Sequence, residues 1–281
     1  MLSVYFPDEK HPMLPQSYLA AYSFKKGEAR AALSQYFLFD AARGVTEEEH
    51  CCLENVFLSD EITPAQAEGG KMDDNIVAAY DKLKCFAAVL PASPVLRDKQ
   101  FTIIADPPTV ISAKRPTVSL TVEALMRLVN GVWAAKILGH GGLFRSNGLI
   151  TVAPKAKEAP YAWFSSPLRR YVDLVNQRLL LSLLFDKKPA AEKWPQLAGA
   201  FNERHIKARH YQKIMDRHFS MLALRRDIPL AGITQKNGRV RLNDYPLSGE
   251  LTSHPPKADS AISVRVVEMD LVAQRLRFQA L

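Results

Sequence analysis

Apolar and polar positions alternate from Leu2 to Phe6 as they do in a half-buried strand, and the pattern stops at Pro7. "HPMLP", His11 to Pro15, then reads as a rigid turn bracketed by prolines. Ala31 to Phe39 predicts a further strand. "VFLSDEITPAQAEGG" passes from a short apolar run into a loop ending at Gly69-Gly70, Asp73 to Val89 fits a helix, and strand signals return over 103 to 111 between prolines.

Thr121 is a suitable N-cap for a helix that puts Leu125, Leu128, Val129, Val132 and Ala135 on one face and stops at Gly139, the pattern of a core helix. "GHGG" at 139 to 142 has neither the spacing nor the preceding strand of a phosphate loop and reads as that helix stop. A second long helix is expected from Phe201 to Leu224. In the tail, Asn237-Gly238 is a hairpin turn, and Ile262, Val264 and Val266, like Leu276, Phe278 and Ala280, alternate inward, which predicts a small β-barrel. The class expected is α+β, with mixed short elements first and an all-β barrel last.

Composition adds bounds to this picture. With 281 residues, 47% of them hydrophobic, the chain can bury a large core. No stretch approaches ~18 consecutive apolar residues and no basic-then-apolar leader opens the chain, so no membrane association and a cytoplasmic location are expected. Cys51, Cys52 and Cys85 are odd in number, and two are adjacent; they read as reduced core residues. The histidines form no tight pair converging with carboxylates and read as structural or solvated. Net charge is +8, unevenly spread, for residues 1 to 81 hold 6 Lys and Arg against 14 Asp and Glu. Residues 167 to 228 hold 13 basic against 6 acidic side chains, which implies an anionic partner for that part.

The basic part begins within "YAWFSSPLRRYVDLVNQRLL", residues 161 to 180. Ser166 is a suitable N-cap, Pro167 suits the first helical position, and Leu168, Val172, Val175, Leu179 and Leu183 form an apolar stripe. Arg169 and Arg170 would then sit in the first turn, where the helix dipole is already positive. An anion should offset them. Free backbone N–H groups beside a guanidinium suit phosphate oxygens, and Asp173, one turn on from Arg169, could orient that side chain. The arginines at 239, 241, 265, 275 and 277 alternate with apolar residues, so the barrel could present them on one face.

The same twenty residues resemble the signature of the RNB ribonucleases, the ribonuclease II and ribonuclease R family: an aromatic, Thr-Ser-Pro-Ile-Arg-Arg-Tyr, Asp-Leu and a terminal His-Arg. Ser165 stands for the usual Thr and Gln177 for the usual His. Tyr5 with "PMLP" resembles the family's Y-L-P…P-M-L-P, and "EALMRLVNGVWAAKIL" resembles its E-E-x-M-x-x-A-N helix, with Ala124 in place of the second acid. The three segments occur in family order, and the resemblance covers most of residues 2 to 225.

This resemblance implies processive 3′→5′ hydrolysis of single-stranded RNA to nucleoside monophosphates with Mg²⁺. It implies that Arg169 contacts the scissile phosphate and that Tyr5 packs against terminal nucleotides. Asp216, in a catalytic position, and Arg217 would match an acid-Arg pair of the later helix. Ser166, Arg170, Tyr171 and Arg178 complete the implied RNA contacts. It further implies residues 1–228 as an RNB domain and 229–281 as an OB-like barrel, in a monomer. The family's aspartate cluster, D-x(5)-D-x-D-D, does not occur before the Tyr5 strand, and Asp73-Asp74, preceded by Lys71, does not replace it. The expectation is the C-terminal part of an RNB exoribonuclease, inactive alone; the alternative is a catalytically dead RNA-binding module.

Overall fold

The computed structural model describes the chain apart from Met1, 41–44, 70–71, 91–98, 188–192 and 254–256. In chain order it contains β1 (Val4–Tyr5), β2 (Lys10–His11), α1 (Gln16–Tyr22), β3 (Ala29–Asp40), β4 (Val45–Phe57), α2 (Pro64–Gly69), α3 (Asp74–Ala88), β5 (Lys99–Ile104) and β6 (Thr109–Lys114). Then follow α4 (Thr117–Ile137), β7 (Phe144–Ser146), β8 (Leu149–Thr151), α5 (Tyr171–Leu184), α6 (Trp194–Leu222), β9 (Leu230–Thr234), β10 (Arg239–Leu242), β11 (Ser248–Leu251), β12 (Ala261–Asp270) and β13 (Arg275–Ala280). The class is α+β, as expected. Among the described residues no helix is long and apolar enough to cross a membrane.

Two compact units divide the chain. The first comprises Met1–Ser3, Pro12–Leu96 and Arg115–His205. Its core packs α4 on α5: Trp133, Ala134 and Ile137 meet Leu179 and Leu180, with Phe144, Ala162 and Phe164 between them. A second cluster joins Leu143, Ile150, Trp163, Val172, Val175, Ala198 and Phe201. Gly142 lets the chain pass between the two helices. Its φ is +105°, and a Cβ there would lie 2.6 Å from Ile137 Cδ1 and 3.2 Å from Leu179 Cδ2. Gly142→Ala is therefore expected to cost about 1–3 kcal/mol through overpacking and backbone strain. A thermal unfolding midpoint within error of the parent would contradict this account.

The second unit comprises Val4–His11, Arg97–Lys114 and Ile206–Leu281. Its last five strands close into a barrel in the order β10-β11-β13-β12-β9, with β11 and β13 parallel and the other pairs antiparallel, while β1-β2 and β5-β6 form separate two-stranded sheets. Val240, Leu242, Leu247, Val264, Leu276 and Phe278 fill it, and Met221 and Leu224 cap it from the end of α6. Gly238, at φ +73°, makes the β9–β10 turn that Asn237-Gly238 predicts. Of the barrel arginines, Arg239 pairs with Glu250, and Arg277 with Glu250 and Glu268. The positive charge of these arginines is thus partly neutralised.

Several local expectations are corrected. Thr121 is not a cap: α4 starts four residues earlier behind Pro116, and the Thr121 hydroxyl donates to the Thr117 carbonyl inside the helix. Pro116 suits that start because the missing N–H has no helical partner to lose. The loop after Phe57 contains α2, and the hairpin partner β4, with its acidic sequence, carries too weak an alternation to be read as a long strand. Gly70, Lys71 and the proline-rich 91–98 stretch lie outside the described residues. The cysteines are free thiols, and they differ in burial: Cys51 is half-buried against the α4–α5 core, Cys52 is half-buried, and Cys85 is exposed and so not a core residue.

Candidate functional site

Residues 161–166 run between α4 and α5, and side chains rather than a sheet satisfy much of their backbone. Ala162 bridges Phe144, and the Arg145 N–H donates to the Tyr161 carbonyl at 2.7 Å. Asn130 of α4, 1% exposed, accepts from the Phe164 N–H at 3.1 Å and donates to the Tyr161 hydroxyl at 3.2 Å. Asn176 of α5, wholly buried, donates to the carbonyls of Trp163 (3.1 Å) and Leu143 (2.8 Å) and accepts from the Leu143 N–H (2.9 Å). Gln177 donates to the Phe164 carbonyl at 2.7 Å. Buried backbone groups need such partners, so these amides fix the segment's path.

The next turn departs from the sequence reading. The N–H groups of Arg169 and Arg170 donate to the Ser166 carbonyl at 3.1 and 3.0 Å, and the Ser3 N–H donates to the Arg169 carbonyl at 2.8 Å. Helix α5 begins only at Tyr171, with Arg170 extended at its N-cap and no side-chain cap. Ser166 is thus not the cap, and Pro167 is not helical. The arginines precede the helix, and its first turn carries Asp173, an acid that the helix dipole favours. Leu2 bridges Arg170 and competes for the backbone there, which ends the turn before the helix starts.

Asp173 is 0% exposed and lies under this turn. It accepts from the Ser166 N–H at 2.8 Å and from Arg170 Nη2 at 2.7 Å. Burial pushes its carboxyl above the ordinary aspartate value, against the opposing pull of Arg170 and the Ser166 N–H. The Arg170 guanidinium also lies 4.3 Å from the Trp163 ring centre, and that of Arg145 4.4 Å from the same ring. Asp173 therefore orients Arg170, not Arg169 as its spacing suggests. Arg169 is exposed, and its guanidinium has no partner among the described residues. One of two adjacent arginines is locked inward and the other is presented to solvent.

Tyr171 is half-buried against the Trp163–Phe201 cluster, and Arg178 is exposed two turns along α5. The structure thus brings Ser166, Arg169, Arg170 and Tyr171 onto one turn and helix start. Tyr5, Asp216 and Arg217 belong to the second unit. Tyr5, on β1, is exposed with the Lys10 ammonium 5.3 Å from its ring centre. Asp216 is half-buried, its carboxyl has no partner among the described residues, and burial raises its pKa. Arg217 donates from Nε to the Gln274 carbonyl at 3.0 Å and from both terminal nitrogens to the Ser248 carbonyl at 3.2 Å. It ties α6 to the barrel.

Sequence reasoning misses Asn130, Asn176 and Gln177 as backbone clamps. A signal existed for Asn176, a polar residue at helical spacing from Val172 and Leu179 within the apolar stripe. Among the described residues no group of three or more His, Cys, Asp or Glu side chains could hold a metal ion. Asp73 is engaged as the N-cap of α3, accepting from the Asn75 N–H at 2.9 Å. The described residues do not fit a Mg²⁺ site.

This mixed α+β fold with its closed five-stranded barrel matches the C-terminal part of RNB-type exoribonuclease structures. Mycoplasma genitalium RNase R matches all of this chain with a TM-score of 0.82 at 13% identity, over 62% of its own length. The same enzyme in complex with ribose methylated single-stranded RNA matches at 0.80. Dss1 exoribonuclease from Candida glabrata matches 99% of the chain at 0.81 and 16% identity, over 48% of its length. Yeast Ssd1, a pseudonuclease, matches 88% of the chain at 0.65 and 15% identity, over 42% of its length. At these identities the likeness is one of fold, and the chain spans less than two thirds of each. No protein-family model and no curated protein matches the sequence.

Proposed function

We propose that this chain is the phosphate-holding and RNA-binding part of a 3′→5′ exoribonuclease that hydrolyses single-stranded RNA to nucleoside monophosphates. One observation carries the reading: the unpartnered guanidinium of Arg169 on a turn whose other groups are immobilised by Asp173, Asn130, Asn176 and Gln177. A preorganised cation aimed at solvent can take two phosphate oxygens and stabilise the charge that develops on them. Ser166 and Tyr171 hold that turn, Arg170 and Arg178 add positive field, and Tyr5 offers a ring for stacking a base. Asp216 and Arg217 are assigned to the same function at the second unit, Arg217 through its hold on an OB-type barrel. The RNA complexes of Mycoplasma genitalium RNase R support RNA as the partner. Mg²⁺ is the proposed cofactor of the whole enzyme, with ligands beyond the described residues.

The chain by itself is expected to bind single-stranded RNA with affinity that falls steeply as salt rises, because phosphate contacts release counterions. It is expected to release no mononucleotides in Mg²⁺ or Mn²⁺, since the described residues offer no ligand cluster for either. Anisotropy with a labelled oligouridylate across a salt series and a mononucleotide-release assay check both expectations. A flat salt series overturns the RNA reading. The same lack of a ligand cluster favours a second reading, a catalytically dead RNA-binding module in the manner of the pseudonuclease fold match. Metal-dependent mononucleotide release would exclude it.

A further inference from the structure

The β1–β2 hairpin of the second unit sorts its charges by the pleat. The Phe6 N–H donates to the Glu9 carbonyl at 2.8 Å across the Pro7-Asp8 turn, and behind that pair Tyr5 lies opposite Lys10 and Val4 opposite His11. Bonded and unbonded pairs alternate along an antiparallel ladder, so Tyr5 and Lys10 form an unbonded pair, the kind whose side chains stand closest. Successive side chains point to opposite faces. Phe6, Glu9 and His11 therefore share one face with Val4, where the Phe6 and His11 rings meet edge to face at 5.6 Å and His11 Nε2 lies 3.3 Å from the Glu9 carboxylate. Tyr5 and Lys10 have the other face, with the ammonium 5.3 Å from the ring centre.

Glu9 is next to Lys10 in the chain yet faces away from it. Tyr5 and Lys10 are both exposed, and Lys10 has no hydrogen-bond or ion-pair partner among the described residues. A ring and an unopposed cation on one face match the two parts of a nucleotide: the ring can stack any base, and the ammonium can meet the phosphate attached to it. We infer that Lys10 is an RNA-binding residue that acts with Tyr5, the two holding one nucleotide of a single strand by its phosphate and its base. The inference rests on the RNA reading above. It adds to that reading the cation with which the stacking tyrosine works.

The test uses the full chain and a labelled oligouridylate. Lys10→Gln is expected to reduce the slope of log affinity against log salt by about 0.7, the share of one phosphate contact on a single strand. Tyr5→Ala is expected to weaken binding about 10-fold at fixed salt, as loss of one stacking contact does, while Tyr5→Phe keeps the ring and the affinity. Because both side chains act on one nucleotide, the double variant Lys10→Gln with Tyr5→Ala should lose less than the product of the single losses. Both residues are exposed, so unfolding midpoints should stay close to the parent value. A parental slope in Lys10→Gln, or single losses that multiply in the double variant, while Arg169→Ala still weakens binding, overturns this inference and leaves the RNA reading standing. Absence of RNA binding by the unaltered chain overturns both.

Discussion

Asp173→Ala is expected to lower the stability of the chain by about 3 kcal/mol or more, since removing one member of a buried ion pair leaves the other uncompensated. Two groups lose their partner together: the Arg170 guanidinium and the Ser166 N–H, both now bonded to a fully buried carboxylate. Denaturant midpoints measure the loss, and a change under ~1 kcal/mol would show that the turn does not depend on this acid. The pH dependence follows from the same burial. The folded protein holds the Asp173 proton more tightly than the unfolded chain, because burial raises the carboxyl's pKa. The group therefore favours folding below the ordinary aspartate range, and that contribution is lost as pH rises through the raised value. Asp173→Asn removes this descent, which midpoints collected across acidic pH will reveal.

Arg169→Lys is expected to reduce turnover by roughly 10²- to 10³-fold in a longer protein that joins a metal-holding aspartate cluster to this chain, the usual cost of losing one preorganised donor. Lysine keeps the charge but not the planar fork that addresses two oxygens at once. The unfolding midpoint should hardly move, because the exposed Arg169 guanidinium has no hydrogen-bond or ion-pair partner among the described residues. Arg170→Lys is expected to behave in the opposite way. It disturbs the pair with Asp173 and the contact with Trp163, so stability falls before turnover does. Rates and midpoints of the two variants, measured side by side, separate the roles. Equal, mild losses of turnover would withdraw the catalytic assignment of Arg169.

The sequence by itself determined the elements whose signals are local. The apolar stripe through Val172, Val175 and Leu179 is buried as its spacing demands, α3 begins behind Asp73, and the barrel alternates at Val264, Leu276 and Phe278. The motif at 161–180 was legible too, as a signature, and its likeness extends to the fold. Helix starts were less legible: the Thr121 hydroxyl bonds back to Thr117 within a helix that has already begun behind Pro116, and the Ser166 N–H is taken by the buried Asp173. Only the tertiary structure decided which arginine faces solvent. Arg169 and Arg170 are the same residue type one position apart, and helical spacing alone pairs Asp173 with the first. What reverses this is the 166–170 turn, which delays the helix and turns Arg170 over Trp163 onto a carboxylate that burial leaves with no solvent to satisfy it. That turn depends in part on distant groups. Asn130 reaches Phe164 from 34 residues away, and Leu2 bridges Arg170 from the other end of the chain segment, so no local pattern could encode the choice.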